Sequence, residues 1–332
     1  MKVVALAGGV GAGKFLRGLT AVMSPRDVTV VINTGDDLSV HGLHVSPDID
    51  SVTYWLAGVM DRERGWGRAE DSFRTTEQLR TFGAQGAWFG LGDLDLATHL
   101  HRTSLLAGGA TLTEATRRIA TLFGVEATLL PMSDDPVTTR VIVVDEHGQG
   151  RDLHFQEYWV LRGARDDVKA VSYEGASRAA PAPGVLDAIS AADAVLICPS
   201  NPVASIDPIL AVPGLRDAVG ARREAVGGVS PIVGGAPLRG MADKLLPAAG
   251  VEVSASGVAE HYADLLGSFV IDVVDSAAAE RIRAALDGRP VAVVDTVMTD
   301  DGLAAGVANA ALEVVMANLA RAADRTGDGR PR

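Results

Sequence analysis

The chain has 332 residues, 47% of them hydrophobic, enough for one large α/β domain or a main domain with a smaller lobe. Its 42 acidic against 30 basic residues give a formal charge of −12, which argues against binding a nucleic-acid backbone. The lone cysteine, Cys198, excludes an intrachain disulfide and points to a reducing compartment, so a cytoplasmic protein is expected.

The apolar run Val3 to Ala7 reads as a first strand, because glycines at 8, 9, 11 and 13 interrupt it before a signal-peptide core forms. A helix is expected over Lys14 to Val22, then a strand over Val28 to Asn33 and helices over Asp48 to Met60, Leu94 to Leu106 and Leu112 to Leu122. From Ala127 to Trp159 the pattern changes. Thr139 to Val144 and Arg151 to Phe155 flank the turn Glu146 to Gly150, which predicts an antiparallel hairpin within an insertion around 127–180. Buried strands follow at Ala194 to Cys198, Ser230 to Val233, Phe269 to Val274 and Val291 to Asp295, with helices at Val258 to Leu266, Ala277 to Leu286 and Gly302 to Ala320.

This alternation predicts an α/β fold, a doubly wound, mostly parallel Rossmann-like sheet with helices on both faces and a small antiparallel β lobe. One domain is expected over 1–323, followed by a charged, Gly- and Pro-containing tail, 324–332, that reads as disordered. No stretch reads as the roughly 20 apolar residues that cross a bilayer, so no membrane partner is expected.

Three polar or glycine-rich segments directly follow predicted strands: Gly8 to Gly13, Asn33 to Asp37, and Pro199 to Pro202. In a doubly wound sheet such segments meet at the carboxyl edge, where ligands bind. Gly8, Gly9 and Gly11 carry no Cβ, so a diphosphate can approach their amides; the plain alternative is a tight turn. The P-loop spacing of Gly8, Gly13 and Lys14 lacks its magnesium-binding hydroxyl, since Phe15 stands there, and the dinucleotide fingerprint fails at the same residue.

Asp36, Asp37, Asp48 and Asp50 crowd hard oxygen donors into a short span, which suits magnesium bound together with substrate phosphates. Ser46-Pro47-Asp48 is equally a helix start, but Asp36 and Asp50 read as catalytic or metal-binding carboxylates. Trp88 and Phe89 lie in a glycine-rich stretch where a flat ring can stack, and His99 and His101 cannot share one helix face. Ser133 and Asp134 either read a base or ribose or make an ordinary Asp-Asp-Pro turn. His154, Gln156 and Tyr158 share a face if their strand continues. A single cysteine makes a zinc site unexpected.

With those residues laid out, the chain resembles the 2-phospho-L-lactate transferase family of coenzyme F420 biosynthesis, including its phosphoenolpyruvyl-transferring actinobacterial members. The resemblance spans nearly the whole chain and rests on GGVGAGKFL, NTGDD, HGLHVSPDID, WFGLGDLDLATHLHRT, LLPMSDDPVTTRV, HFQEYW, PSNPVASIDPIL, SPIVGGAPLRG and DTVMTD, in the family's order. It implies that a guanosine diphosphate conjugate of lactate or enolpyruvate donates its phospho-acid to the ribityl hydroxyl of the deazaflavin FO, releasing GMP, with Mg2+ and a homodimer.

By matching position, the resemblance makes Gly8, Gly9, Gly11, Ser200 and Asn201, with Ser133 and His154, contacts to nucleotide and phosphate. Asn33 and Asp134 join the binding set, Asp36 and Asp50 become the metal or hydroxyl-orienting carboxylates, and Asp48 with Trp88 lines the deazaflavin side. Many members carry a basic residue where this chain has Leu94 or Leu96, so the charge is supplied elsewhere or the donor acid differs. Two readings compete. The related gluconeogenesis-factor proteins share the first two motifs and imply nucleotide binding with a regulatory role, and a P-loop NTPase is weakened by Phe15.

Overall fold

The computed structural model describes residues 1–145 and 147–327. In chain order the strands are β1 (Val3–Ala7), β2 (Val28–Ile32), β3 (Leu38–Val40), β4 (Leu43–Val45), β5 (Thr128–Pro131), β6 (Thr138–Val144) and β7 (Gly150–His154). They continue with β8 (Asp167–Glu174), β9 (Ala194–Ile197), β10 (Val226–Val229), β11 (Ile232–Val233), β12 (Ala236–Pro237), β13 (Ser268–Asp272) and β14 (Val291–Val294).

β1 is five consecutive apolar residues, all buried, as a strand covered on both faces must be. Successive side chains serve opposite faces: Val4 and Leu6 enter one core, and Val3, Ala5 and Ala7 the other. Seven strands form the main sheet in the order β14-β13-β10-β9-β1-β2-β5. All their pairings are parallel. Helix Gly9–Val22 packs against helices Pro47–Ala57 and Asp301–Gly327 on one face. The smaller sheet, β7-β6-β8, is antiparallel and adds Val141, Val143 and Leu153 to the core on the other face.

Several expectations need correction. Thr128–Pro131 belongs to the main sheet, parallel to β2, so the antiparallel insertion begins only after it, and it gains a third strand, β8. The sheet strand expected over Ser230 to Val233 lies instead at Val226–Val229, hidden in the sequence by Gly227 and Gly228. A Cβ on Gly227 would overlap Val315 of the closing helix, and one on Gly228 would crowd Leu266 and Phe269 at the neighbouring strand, so close packing on both faces selects glycine in a strand that otherwise disfavours it.

The first helix starts at Gly9 rather than Lys14, because tertiary contacts override glycine's poor helix propensity. A Cβ on Gly11 would strike the Pro199 carbonyl, and one on Gly13 the Trp55 ring. The closing helix, Asp301–Gly327, extends into the segment expected to be disordered from Asp324, since no Gly or Pro lies between Gly306 and Gly327; 328–332 lie outside the described residues, as does Glu146 of the hairpin turn. That helix is also long and apolar enough to cross a membrane by composition, contrary to the sequence reading. Its residues Val307, Ala308, Ala311 and Val315 are buried in the core under the main sheet.

Candidate active site

Taken in chain order, the main sheet reads 3-2-1-4-5-6 from β5 to β13, with β14 added at the far edge, so the direction of winding reverses between β1 and β9. The loops leaving those two strands diverge there and open a crevice. A cavity of about 1070 Å³ occupies the place, lined by Gly8, Gly9 and Gly11 after β1 and by Pro199, Ser200 and Asn201 after β9. It is large enough for two ligands side by side.

Gly8 alone separates β1 from the helix, with no loop long enough to wrap a triphosphate, and the P-loop reading ends there. The N-cap residue of Gly9–Val22, Gly8, has no side chain to cap the first turn, which carries no acid of its own, so groups from elsewhere in the chain or a bound anion must meet its amides. The Gly9 amide is taken by Asp48 Oδ1 at 2.6 Å, and the Gly8 amide reaches Ser200 Oγ at 3.4 Å. Asn201 spends its side-chain oxygen on the amides of Val203 and Ala204, capping the turn after β9.

Asn33, at the end of β2, is wholly buried beneath the cavity and ties the acidic wall together. Its Nδ2 donates to Asp48 Oδ2 at 2.9 Å, to the Ala204 carbonyl at 3.2 Å and to Asp36 Oδ1 at 3.3 Å. Gln156 Nε2 donates to Asp36 Oδ2 at 2.7 Å. Asp36 and Asp48 are 4% and 6% exposed, and among the described residues no cation stands against either. Burial, then the negative charge of Asp48, pushes the Asp36 carboxyl well above the usual carboxylate range, and burial raises Asp48 too. Among the described residues the pair lacks a counter-charge.

Asp50, one helical step on, meets the opposite environment. Arg102, wholly buried, grips both of its oxygens with Nη1 and Nη2. His99 lies alongside, Nδ1 3.5 Å from Asp50 Oδ2 and Nε2 3.4 Å from Asp95 Oδ1. The Tyr54 hydroxyl donates to Asp95 Oδ1 at 2.6 Å. Burial alone would raise Asp95, but His99, Tyr54 and Arg102 together outweigh it and hold the carboxyl low.

The far end of the cavity is positive. Lys14 Nζ donates to the Met298 carbonyl at 3.0 Å, and Arg239 reaches in from the segment after β12. Burial, then the charges of Arg239 and Arg62, lowers the Lys14 pKa. Aromatic rings complete the wall: Trp88 sets its edge against Phe89, centroids 5.6 Å apart, and Trp66 does the same with Phe73 at 5.8 Å.

The fold thus gathers Gly8, Gly9, Gly11, Asp36, Asp48, Asp50, Trp88, Ser200 and Asn201 around one cavity, with Asn33 behind them. Ser133, Asp134 and His154 are placed otherwise. Ser133 Oγ donates to the Ala180 carbonyl, and Asp134 Oδ1 accepts from the amide and hydroxyl of Thr113. His154 Nδ1 accepts from the Gln156 amide, so its Nε2 carries the proton and donates to the Asp37 carbonyl at 3.1 Å, bracing the Asp36 loop.

The strand expected over Arg151 to Phe155 ends at His154 and does not continue to Tyr158, because a wide helical turn, Glu157–Leu161, follows. Gln156 therefore swings to Asp36 while Tyr158 enters the core. Sequence reasoning missed Asp95 and Arg102, and gave His99 no role. Their spacing, four and then three residues, places all three on one helix face, which was the available signal.

Among the described residues no three His, Cys, Asp or Glu side chains form a ready-made metal cage. The acidic wall nevertheless fits a hard divalent cation: Asp36 and Asp48 are buried oxygen donors with no counter-charge among the described residues, and magnesium commonly takes one or two carboxylates and completes its shell from substrate phosphates and water. Asp50 fits less simply, because Arg102 already meets both its oxygens.

The chain is 48% identical over 314 residues to the phosphoenolpyruvate transferase of Kitasatospora aureofaciens, covering 94% of this chain and 97% of that protein. It is 45% identical over 300 residues to the 2-phospho-L-lactate transferase of Methanosarcina acetivorans, covering 90% and 94%. A crystal structure of a UPF0052 family protein from Bacillus halodurans shares the fold with a TM-score of 0.60 at 17% identity, covering 94% of this chain and all of that one. Residues 3–319 match the family 2-phospho-L-lactate transferase CofD, and the chain belongs to that family.

Proposed function

We propose that this protein transfers a phospho-acid, phospholactate or phosphoenolpyruvate, from a guanosine diphosphate conjugate to the terminal hydroxyl of the deazaflavin FO in coenzyme F420 biosynthesis, releasing GMP. The observation that carries this is the buried Asp36–Asp48 pair, which among the described residues has no counter-charge, beside the glycine-led first turn of Gly9–Val22. A cation and a diphosphate satisfy those two features at once.

In this reading the first-turn amides hold the donor's phosphates, and Lys14 and Arg239 draw its anionic groups toward the positive end. Trp88 and Phe89 stack on the deazaflavin ring and shield the site from water. Asp36 and Asp48 would hold Mg2+, which when bound neutralises diphosphate oxygens and stabilises charge on the leaving phosphate. Asp50, turned by Arg102, orients the acceptor hydroxyl and takes its proton as the oxygen bonds to the phosphorus distal to guanosine. The bond from that phosphorus to the bridging oxygen breaks, and GMP leaves with the oxygen.

The test is incubation of the purified protein with the deazaflavin alcohol, Mg2+ and guanosine diphospho-acids generated in situ, read by mass spectrometry. A phospho-acid adduct with GMP is expected, its mass naming the donor acid, and excess chelator should abolish it. Unchanged deazaflavin with every donor, alongside retained guanine-nucleotide binding, would replace this reading with the regulatory one. A cytoplasmic homodimer belongs to the same proposal; light scattering at two concentrations checks the assembly.

A further inference from the structure

We propose that Arg102, steadied by His99, is the positioning residue for Asp50, an inference that rests on the transfer reaction proposed above. Arg102 lies on helix Asp93–Ala107 and is wholly buried, bonded to Asp50, which lines the cavity. Its two terminal nitrogens meet the two oxygens of Asp50 end-on, a fork that fixes the plane and direction of the carboxylate.

Behind this fork runs a set of polar side chains. Arg102 Nη1 lies 3.4 Å from His99 Nδ1, and the other edge of the same ring packs against Asp95, Nε2 3.4 Å from Oδ1, without a hydrogen bond between them. Asp95 accepts from Tyr54, one helical turn beyond Asp50 on its own helix. Asp50 and Tyr54 on one helix thus meet Arg102, His99 and Asp95 on the other, and each neighbour restricts the next. Arg102 Nη1 also reaches the His44 carbonyl at 3.5 Å, closing the array toward the Asp37 loop.

Packing alone does not account for it. A buried ion pair generally adds little net stability over well-packed apolar groups of the same size. Asp50, Tyr54, Asp95 and His99 all line the cavity, whereas Val40 and Leu96 nearby, which do not line it, pack in an apolar cluster. The array therefore serves the direction of one carboxylate toward the cavity. Reacting groups must sit close to their productive geometry, and a displacement of about 1 Å can lower rate about a hundredfold.

The test combines Arg102→Lys, which keeps the charge without the fork, with Asp50→Asn and the double variant. Arg102→Gln, which keeps N–H donors without the charge, stands in where Lys disturbs folding. The expected result is a fall in kcat of about a hundredfold for Arg102→Lys, with KM for the deazaflavin and Kd for GDP within about threefold of wild type. In the Asp50→Asn background the same change should have almost no further effect, because it acts only through that carboxylate. An undiminished loss in the Asp50→Asn background, full activity of Arg102→Lys, or GDP affinity falling in step with kcat would each overturn the proposal. Wild-type turnover measured alongside separates its failure from failure of the transferase reading.

Discussion

Asp48 and Asp50 stand two residues apart on one helix, yet their surroundings are opposite. Asp48, with Asp36, is buried among amides and faces no cation among the described residues, whereas Asp50 is locked against a buried guanidinium. The difference separates two tasks. Carboxylates left without a counter-charge are a place for a positive ligand, and a carboxylate already paired is a fixed direction in space. One wall of the cavity is therefore completed by what binds, and the other is complete before anything does.

Each wall can be broken separately. Asp36→Asn removes charge from the open wall and should lower kcat on the order of a thousandfold, with magnesium no longer restoring it at any concentration. Asp50→Asn strikes the closed wall and should cost on the order of a hundredfold in kcat, leaving GDP affinity close to wild type. Steady-state kinetics with calorimetric GDP binding distinguishes the two, and near wild-type turnover of either variant would erase the contrast. Trp88→Ala belongs to neither wall; a tenfold or so rise in KM for the deazaflavin, with kcat little changed, is expected from the loss of one stacking face.

The smallest effect is on stability. Burial raises the Asp48 carboxyl in the folded state, so the folded protein keeps a proton that the unfolded chain has released above about pH 4. Metal-free protein should lose stability as pH rises through that window, and the loss is complete above the raised folded value. Asp48→Asn should flatten the fall in Tm from about pH 5 to about pH 8. Parallel melting profiles for wild type and variant would show that Asp48 carries no such charge.

Much of the cavity was legible because its residues sit directly after strands: Gly8 to Gly11, Asn33 to Asp36 and Pro199 to Asn201 follow β1, β2 and β9, and a doubly wound sheet brings those ends together. The dense acids of the second segment also announced themselves. What stayed hidden was their division of labour, which depends on contacts between distant parts of the chain. Arg102 meets Asp50 across 52 residues, and Gln156 meets Asp36 across 120. No local pattern marks the second, because Gln156 reaches Asp36 only once the strand has ended at His154.

Glycine misled the reading twice for one physical reason. Gly11 and Gly13 are helical, and Gly227 and Gly228 lie in a strand, because neighbouring backbone or side chains approach too closely for a Cβ. Propensity marks such residues as loops, and only packing explains them.

The most direct test of the two-wall account is calorimetric titration of GDP with and without Mg2+ into wild type, Asp36→Asn and Arg102→Lys. The account predicts that magnesium tightens GDP binding at least tenfold in wild type and in Arg102→Lys, and that this gain vanishes in Asp36→Asn. A magnesium effect that survives in Asp36→Asn, or that is lost in Arg102→Lys, would contradict it.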